Sequence, residues 1–176
     1  MGDTMNEFNP ILDIPYPKII VNKKDPNLAY KIMNTYAGII SELSQISQYT
    51  FQSFYLNSYK DLSKILESIA MVEMKHLKIL GILINKLGLV PYYVKYNNNK
   101  AIPWNSDYVN FTTDYRTMLI NNIESEENTI RDYNKLISDT DDANIIQIFN
   151  RIIMDEERHI KIFKELLRQY DEDNYK

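Results

Sequence analysis

The chain contains no cysteine. That absence excludes thiol catalysis, a Cys-ligated iron-sulfur or rubredoxin-type centre, and an oxidised scaffold, and it closes off soft-metal chemistry. Charge of either sign is also missing as a run. Twenty basic and 24 acidic residues leave a net charge of −4, spread so evenly that neither nucleic acid nor an anionic membrane surface is an expected partner. No segment is apolar enough to span a bilayer, and the N-terminus lacks a basic start followed by an apolar stretch, so a cytoplasmic location is expected. At 176 residues the chain suits one domain that can bury a core without staples.

Helical periodicity is what the sequence does have. Residues 1–24, with Pro10, Pro15 and Pro17, show no sustained period and read as an extended arm on the domain surface. Asp25 followed by Pro26 is a helix start, since the carboxylate accepts from free backbone N–H groups and proline needs no donor in the first turn. From there Ile32, Ile39, Glu42, Ile46 and Tyr49 fall on one stripe. A second helix, from about Asp61 to Leu87, carries Ile65, Ile69, Glu73, His76, Leu80 and Leu83, and Gly88 stops it. Residues 88–112, with Pro91, Pro103 and Trp104, are too long for a tight turn and read as a crossover, with Trp104 as a packing anchor. The third helix, from about Thr113 to Ser138, aligns Leu119, Ile123, Glu126, Ile130, Tyr133 and Ile137. After a turn at Asp139 to Asp142, a fourth aligns Ile148, Ile152, Glu156, His159 and Phe163. The predicted organisation is an arm (1–24), an all-α four-helix bundle with one long crossover between its second and third helices (25–170), and a charged, frayed tail (171–176).

The two halves repeat. Ser41 to Tyr49 reads SELSQISQY and Ser125 to Tyr133 reads SEENTIRDY; Ile69 to Leu80 reads IAMVEMKHLKIL and Ile152 to Phe163 reads IIMDEERHIKIF. In each half a lone stripe glutamate is followed by Glu-x-x-His, whose two side chains share a helix face. A single Glu-x-x-His is ordinarily a solvated pair, but both histidines of this chain sit in one, and all four glutamates lie on core-facing stripes. An ionised carboxylate in an apolar core costs several kcal/mol unless paired or metal-bound. Lys75, Arg131 and Arg158 fall outside these faces, which leaves metal as the neutraliser. Four carboxylates match two divalent ions in charge, and oxygen with one imidazole per ion suits iron or manganese better than structural zinc. The expected ligands are Glu42, Glu73, His76, Glu126, Glu156 and His159. In a bundle Glu73 and Glu156 are expected to bridge, with Glu42 and His76 on one ion and Glu126 and His159 on the other. Asp155 can accept the second N–H of a histidine on a neighbouring helix, a place that Val72 takes in the other half. Tyr49 and Tyr133, matched by the repeat, are expected to donate to buried acceptors.

On YAGIISELSQISQY, VEMKH, SEENTIRDY and DEERH, the sequence resembles the ferritin-like superfamily across residues 26–170, in particular rubrerythrin and bacterioferritin domains, with manganese catalase as a further relative. The resemblance implies a dinuclear iron or manganese centre reacting with hydrogen peroxide or dioxygen in oxidative-stress defence, in a homodimer or larger homo-oligomer. There are departures. Rubrerythrins carry a rubredoxin module, so a peroxidase here requires a separate electron donor. They also place an extra glutamate one turn before the third-helix ligand, where this chain has Ile123; a register with Glu127 as ligand and Glu124 as the extra carboxylate would restore it. No methionine is marked out for the haem of bacterioferritin. The readings are therefore a rubrerythrin-like peroxidase or oxidase, manganese catalase-like disproportionation, ferroxidation and iron storage, or a metal-free structural bundle.

Overall fold

The computed structural model describes residues 8–97 and 100–174. Among them are five α-helices: α1 Pro26–Ala37, α2 Glu42–Tyr55, α3 Lys60–Leu87, α4 Tyr115–Ser138 and α5 Ala143–Asn174. Helices α3, α4 and α5 are three members of the bundle, and α1 with α2 makes the fourth.

The expected first helix is broken. Asp25 starts α1 by accepting from the Leu28 N–H at 3.0 Å, but the chain leaves the helix at Gly38 and begins again after Ser41. Ser41 Oγ accepts from the Ser44 N–H at 3.3 Å, and both serine hydroxyls donate to the Gly38 carbonyl at 2.9 Å. A Cβ at Gly38 would lie 2.2 Å from the Asn34 carbonyl oxygen, so the turn requires glycine. The break corrects the expected stripe: Ile39 is 56 % exposed and Ile46 is half-buried. The inner face of α2 is instead polar, with Glu42, Ser44, Gln45, Gln48, Tyr49 and Gln52 all buried.

The other helix ends follow their local chemistry. At the end of α3, Gly88 has φ +109°, which lets the Leu89 N–H reach back to the Ile84 carbonyl at 3.1 Å, the bond that closes such an end. Asp114 and Asp142 accept from the backbone N–H groups of Thr117 and Asn144 at 2.9 and 3.0 Å, at the starts of α4 and α5. The crossover holds an antiparallel hairpin, β1 Val94–Asn97 with β2 Lys100–Pro103 and Val94 opposite Pro103. It is tied down by the Tyr96 N–H on Asn34 Oδ1 at 3.0 Å and by the Trp104 indole N–H on Ser44 Oγ at 2.9 Å. The tail expected at 171–176 is helical as far as Asn174, where Arg116 grips both Asp171 oxygens at 2.9 and 3.2 Å. Residues 1–7 of the arm and 175–176 of the tail lie outside the described residues; within the arm, residues 8–24 contain no helix or strand.

Two apolar clusters form the core, one including Ile32, Leu80, Leu83, Phe149 and Ile152, the other Leu66, Ile69, Leu119, Ile123 and Phe163. Burying each such side chain contributes about 1.5–3 kcal/mol. Glu73 and His76 lie between Ile69 and Leu80 on α3, and Glu156 and His159 between Ile152 and Phe163 on α5. A charged layer is thus held between two oily ones. No helix of the described residues is long and apolar enough to cross a membrane.

Candidate metal centre

All six expected ligands meet between the helices, each with 0 % exposure. Glu42 is the first residue of α2, Glu126 sits midway along α4, and the two Glu-x-x-His pairs face each other from α3 and α5. The Nδ1 atom of His76 lies 2.8 Å from Glu73 Oε2, 3.2 Å from Glu156 Oε1 and 3.6 Å from Glu42 Oε2. On the other side, Nδ1 of His159 lies 2.8 Å from Glu73 Oε1, 3.1 Å from Glu156 Oε2 and 3.6 Å from Glu126 Oε1. Glu73 and Glu156 therefore offer one oxygen to each side, while Glu42 and Glu126 serve one side apiece. Two quartets of donor atoms result, Glu42–Glu73–His76–Glu156 and Glu73–Glu126–Glu156–His159, each confined within 4.8 Å. The rival third-helix register is not brought in: Glu127 pairs with Lys164 at 3.3 Å with its side chain 42 % exposed, and Glu124 is exposed.

The donor set fits cations. Glu42 Oε2 is a buried acceptor with no hydrogen-bond partner, which costs about 1–3 kcal/mol or more for a charged group, and Glu73 Oε1 and Glu156 Oε1 make no hydrogen bond either, facing only imidazole Nδ1 atoms at 2.8 and 3.2 Å. Protons otherwise do part of a cation's work. Burial first, then the charges of Glu73 and Glu156, push the Glu126 carboxyl up to about 8. Glu42 is driven well above its ordinary range by burial and the same two charges, against the pull of His76. Burial disfavours the imidazolium of His76, but the Glu156 charge and the hydrogen bond to Asp155 outweigh it, and the pKa rises. His159 rises likewise, chiefly through Glu73. Glu73 is held well below its ordinary range because the two histidines overcome its burial.

The surrounding side chains follow the repeat in part. Tyr49 on α2 donates to Glu126 Oε1 on α4 at 2.5 Å, and Tyr133 on α4 donates to Glu42 Oε1 on α2, a reciprocal exchange. Burial raises both phenols well above their ordinary pKa, so they remain donors. The symmetry then breaks. Gln45 donates to Glu126 Oε2 at 2.6 Å, whereas the matching oxygen of Glu42 has no partner. Asp155 Oδ2 lies 3.0 Å from His76 Nε2, whereas Nε2 of His159 is buried without a partner. Arg151 pairs with Asp155 Oδ2 at 2.6 Å, and the Tyr16 hydroxyl donates to that same oxygen at 2.6 Å.

Sequence reasoning missed Gln45, Arg151 and Tyr16. The first two had signals: Gln45 is three residues beyond Glu42 and Arg151 four before Asp155, both same-face spacings on a helix. Tyr16 had none, because it lies in the aperiodic arm. The imidazoles approach from α3 and α5. On the α2 and α4 side lies a recess of about 190 Å³ whose lining includes Gln45, Gln48, Asn110, Glu124 and Asn128, Gln45 being the residue whose amide holds Glu126.

The model of the rubrerythrin family matches residues 35–167. A probable manganese catalase of Clostridium acetobutylicum is 25 % identical over an alignment 173 positions long that covers 86 % of this chain and 75 % of that protein. Among solved structures, the manganese catalase KatB from Anabaena superposes with a TM-score of 0.81 at 22 % identity, covering 91 % of this chain and 80 % of that one. Bacterioferritin from Desulfovibrio desulfuricans, with a diiron site, gives 0.68 at 21 % identity, covering 85 % and 84 %. These structures share the fold, and the family match spans the whole region that carries the six converging side chains: this chain belongs to the rubrerythrin family.

Proposed function

We propose that this chain is an oxidoreductase with a dinuclear iron or manganese centre, acting on hydrogen peroxide or dioxygen. The observation that carries the reading is the pair of straddling carboxylates, Glu73 and Glu156, each with one oxygen toward either imidazole. Glu42 and His76 would complete one position, Glu126 and His159 the other. A bound metal pair would supply electrons to the oxygen substrate and share the charge that develops as its O–O bond breaks. The chain's own residues do the rest. Tyr49 and Tyr133 keep their protons and fix one oxygen each of Glu126 and Glu42, so the carboxylates are oriented before the substrate arrives. Phe163, Phe149, Ile69 and Ile152 exclude bulk water above and below. The recess at Gln45 is a polar approach for a molecule as small as peroxide, on the side away from the histidines.

Reduction of peroxide to two waters needs two electrons and two protons, and with no cysteine in the chain those electrons would come from a separate donor. Disproportionation of two peroxides to two waters and dioxygen needs none. That second reading is favoured by the missing cysteines and by the manganese catalase relative. The test is to load the metal-free protein with Fe(II) or Mn(II) without oxygen and add peroxide. Oxygen release by the manganese form alone selects disproportionation. Peroxide-driven oxidation of the iron form, reversed by an added reductant, selects the peroxidase, and a very large particle on sizing would turn the reading toward iron storage. Indifference of both loaded forms to peroxide and to dioxygen would overturn the proposal.

A further inference from the structure

The repeat gives each half of the centre the same three ligands, yet among the described residues only one half is tied to the N-terminal arm. Metal-ligating histidines commonly donate their second ring N–H to an acceptor, which fixes tautomer and ring orientation, and loss of that partner typically weakens metal binding 10–100-fold. Nε2 of His76 has two oxygens within reach, Asp155 Oδ2 at 3.0 Å and the Tyr16 hydroxyl at 3.2 Å. Nε2 of His159 has none among the described residues. In the repeat, the residue matching Asp155 is Val72, an aliphatic side chain that cannot accept.

Tyr16 is firmly placed although its segment has no helix or strand. Its hydroxyl donates to Asp155 Oδ2 at 2.6 Å. Its ring lies 4.2 Å from Lys75 Nζ and 4.2 Å from the Arg151 guanidinium carbon, contacts worth about 0.5–2 kcal/mol each. Arg151 also holds the Ile14 carbonyl with two N–H groups at 3.0 and 2.9 Å, and the Arg158 Nε–H holds the Asn9 carbonyl at 2.9 Å. Further along, the Asn22 N–H donates to Asp142 at the start of α5 at 3.0 Å. The arm is thus fastened at four points, and Tyr16 is the one that reaches the centre. It lies outside the matched family region, which begins at residue 35.

We propose that Tyr16 is a positioning residue that makes the N-terminal arm part of the metal centre, so that the two metal positions differ: the Glu42–His76 position is pre-organised and fills first, and the Glu126–His159 position fills second. The inference rests on the dinuclear reading above. Oriented by Asp155 and Tyr16 together, His76 meets the first ion without rearrangement, while His159 is left to be ordered by the ion itself.

The experiment is a Mn(II) titration of the metal-free full-length chain against a competing chelator, followed by electron paramagnetic resonance, which distinguishes an isolated ion from a coupled pair. The native protein should show an isolated-ion signal up to one equivalent and a coupled signal from one to two. Tyr16→Phe keeps the ring between Lys75 and Arg151 and removes only the hydroxyl. It should weaken the first step about tenfold, the lower end of the range for such partners, and leave the second within about twofold, with the coupled signal appearing earlier in the titration. Tyr16→Leu, which also removes the ring, should weaken the first step further and still spare the second. A merely structural tyrosine would weaken both steps together, and either that result or two unchanged constants would overturn the proposal. The titration does not depend on turnover. Tyr16-dependent stepwise binding without peroxide chemistry would refute the proposed activity alone, and peroxide chemistry with binding indifferent to Tyr16 would refute this inference alone.

Discussion

Glu73 and Glu156 differ from Glu42 and Glu126 in one geometric respect: each of the former approaches both imidazoles, each of the latter only one. If they bridge, removing a bridge harms both ions and removing a terminal carboxylate harms one. Glu73→Gln and Glu156→Gln should abolish the coupled magnetic signal and lower the affinity for both ions by about 100-fold, whereas Glu42→Gln and Glu126→Gln should each weaken one position and leave one ion bound. Glu127→Gln, a change at a side chain paired with Lys164 on the surface, should keep two. Elemental analysis with competition titration reads all five, and a Glu127→Gln protein that lost an ion would restore the rival register. The sequence made these positions legible because Glu-x-x-His occurs twice and at matching depth, a coincidence that chemistry must explain. It did not reveal the contacts of Tyr16 with His76 and Asp155, which depend on where an aperiodic segment is fastened, and periodic spacing carries no record of that.

At the scale of an element, the interruption between α1 and α2 decides where Glu42 stands. A continuous helix through Ile32, Ile39, Glu42 and Ile46 looks consistent on spacing alone, and the error is informative. Gly38 and Ser41 were there to be read as a helix end and a new cap, but a stripe of isoleucines masked them. The crossover was legible as a crossover and not as a hairpin, since Val94–Asn97 and Lys100–Pro103 are too short for alternation to stand out. Gly38 provides the test. Its missing Cβ would sit 2.2 Å from the Asn34 carbonyl oxygen, a backbone atom that the end of α1 holds in place. Gly38→Ala should therefore destabilise the protein by about 1–3 kcal/mol in denaturant unfolding and reduce metal uptake with it, since the shift is passed to Glu42 four residues on. Ile39→Ala, at an exposed neighbour, should stay within about 0.5 kcal/mol. Equal losses at both positions would mean that the interruption does not depend on glycine.

For the whole molecule, the bundle was legible because most of the apolar stripes of its helices are the core, and the charged layer because acids on such stripes demand an explanation. That layer also makes stability a function of pH and metal together. In the metal-free state Glu126 titrates at about 8 against an ordinary 4.5, and Glu42, His76 and His159 are raised as well. The folded protein therefore binds more protons than the unfolded chain between about pH 5 and pH 8, and its stability falls as pH rises through that window. For the histidines this means a contribution fully present below about 6.5 and lost as their raised folded values are passed. Glu73, lowered rather than raised, has finished titrating in both states above about pH 5 and adds no slope there. Metal binding runs the other way. Ligating carboxylates and imidazoles must shed these protons, so affinity strengthens with rising pH. At about 100 times its dissociation constant one ion adds about 2.7 kcal/mol, or about 5–10 °C in melting temperature for a chain of this size. The difference between metal-loaded and metal-free melting temperatures should accordingly widen from about pH 6 to about pH 8. Calorimetry in buffers of different ionisation enthalpy should show protons released on Mn(II) uptake at about pH 7. A difference that stayed constant or narrowed would mean that protons and cations do not compete for the same buried carboxylates, and the centre would have to be charged in some other way.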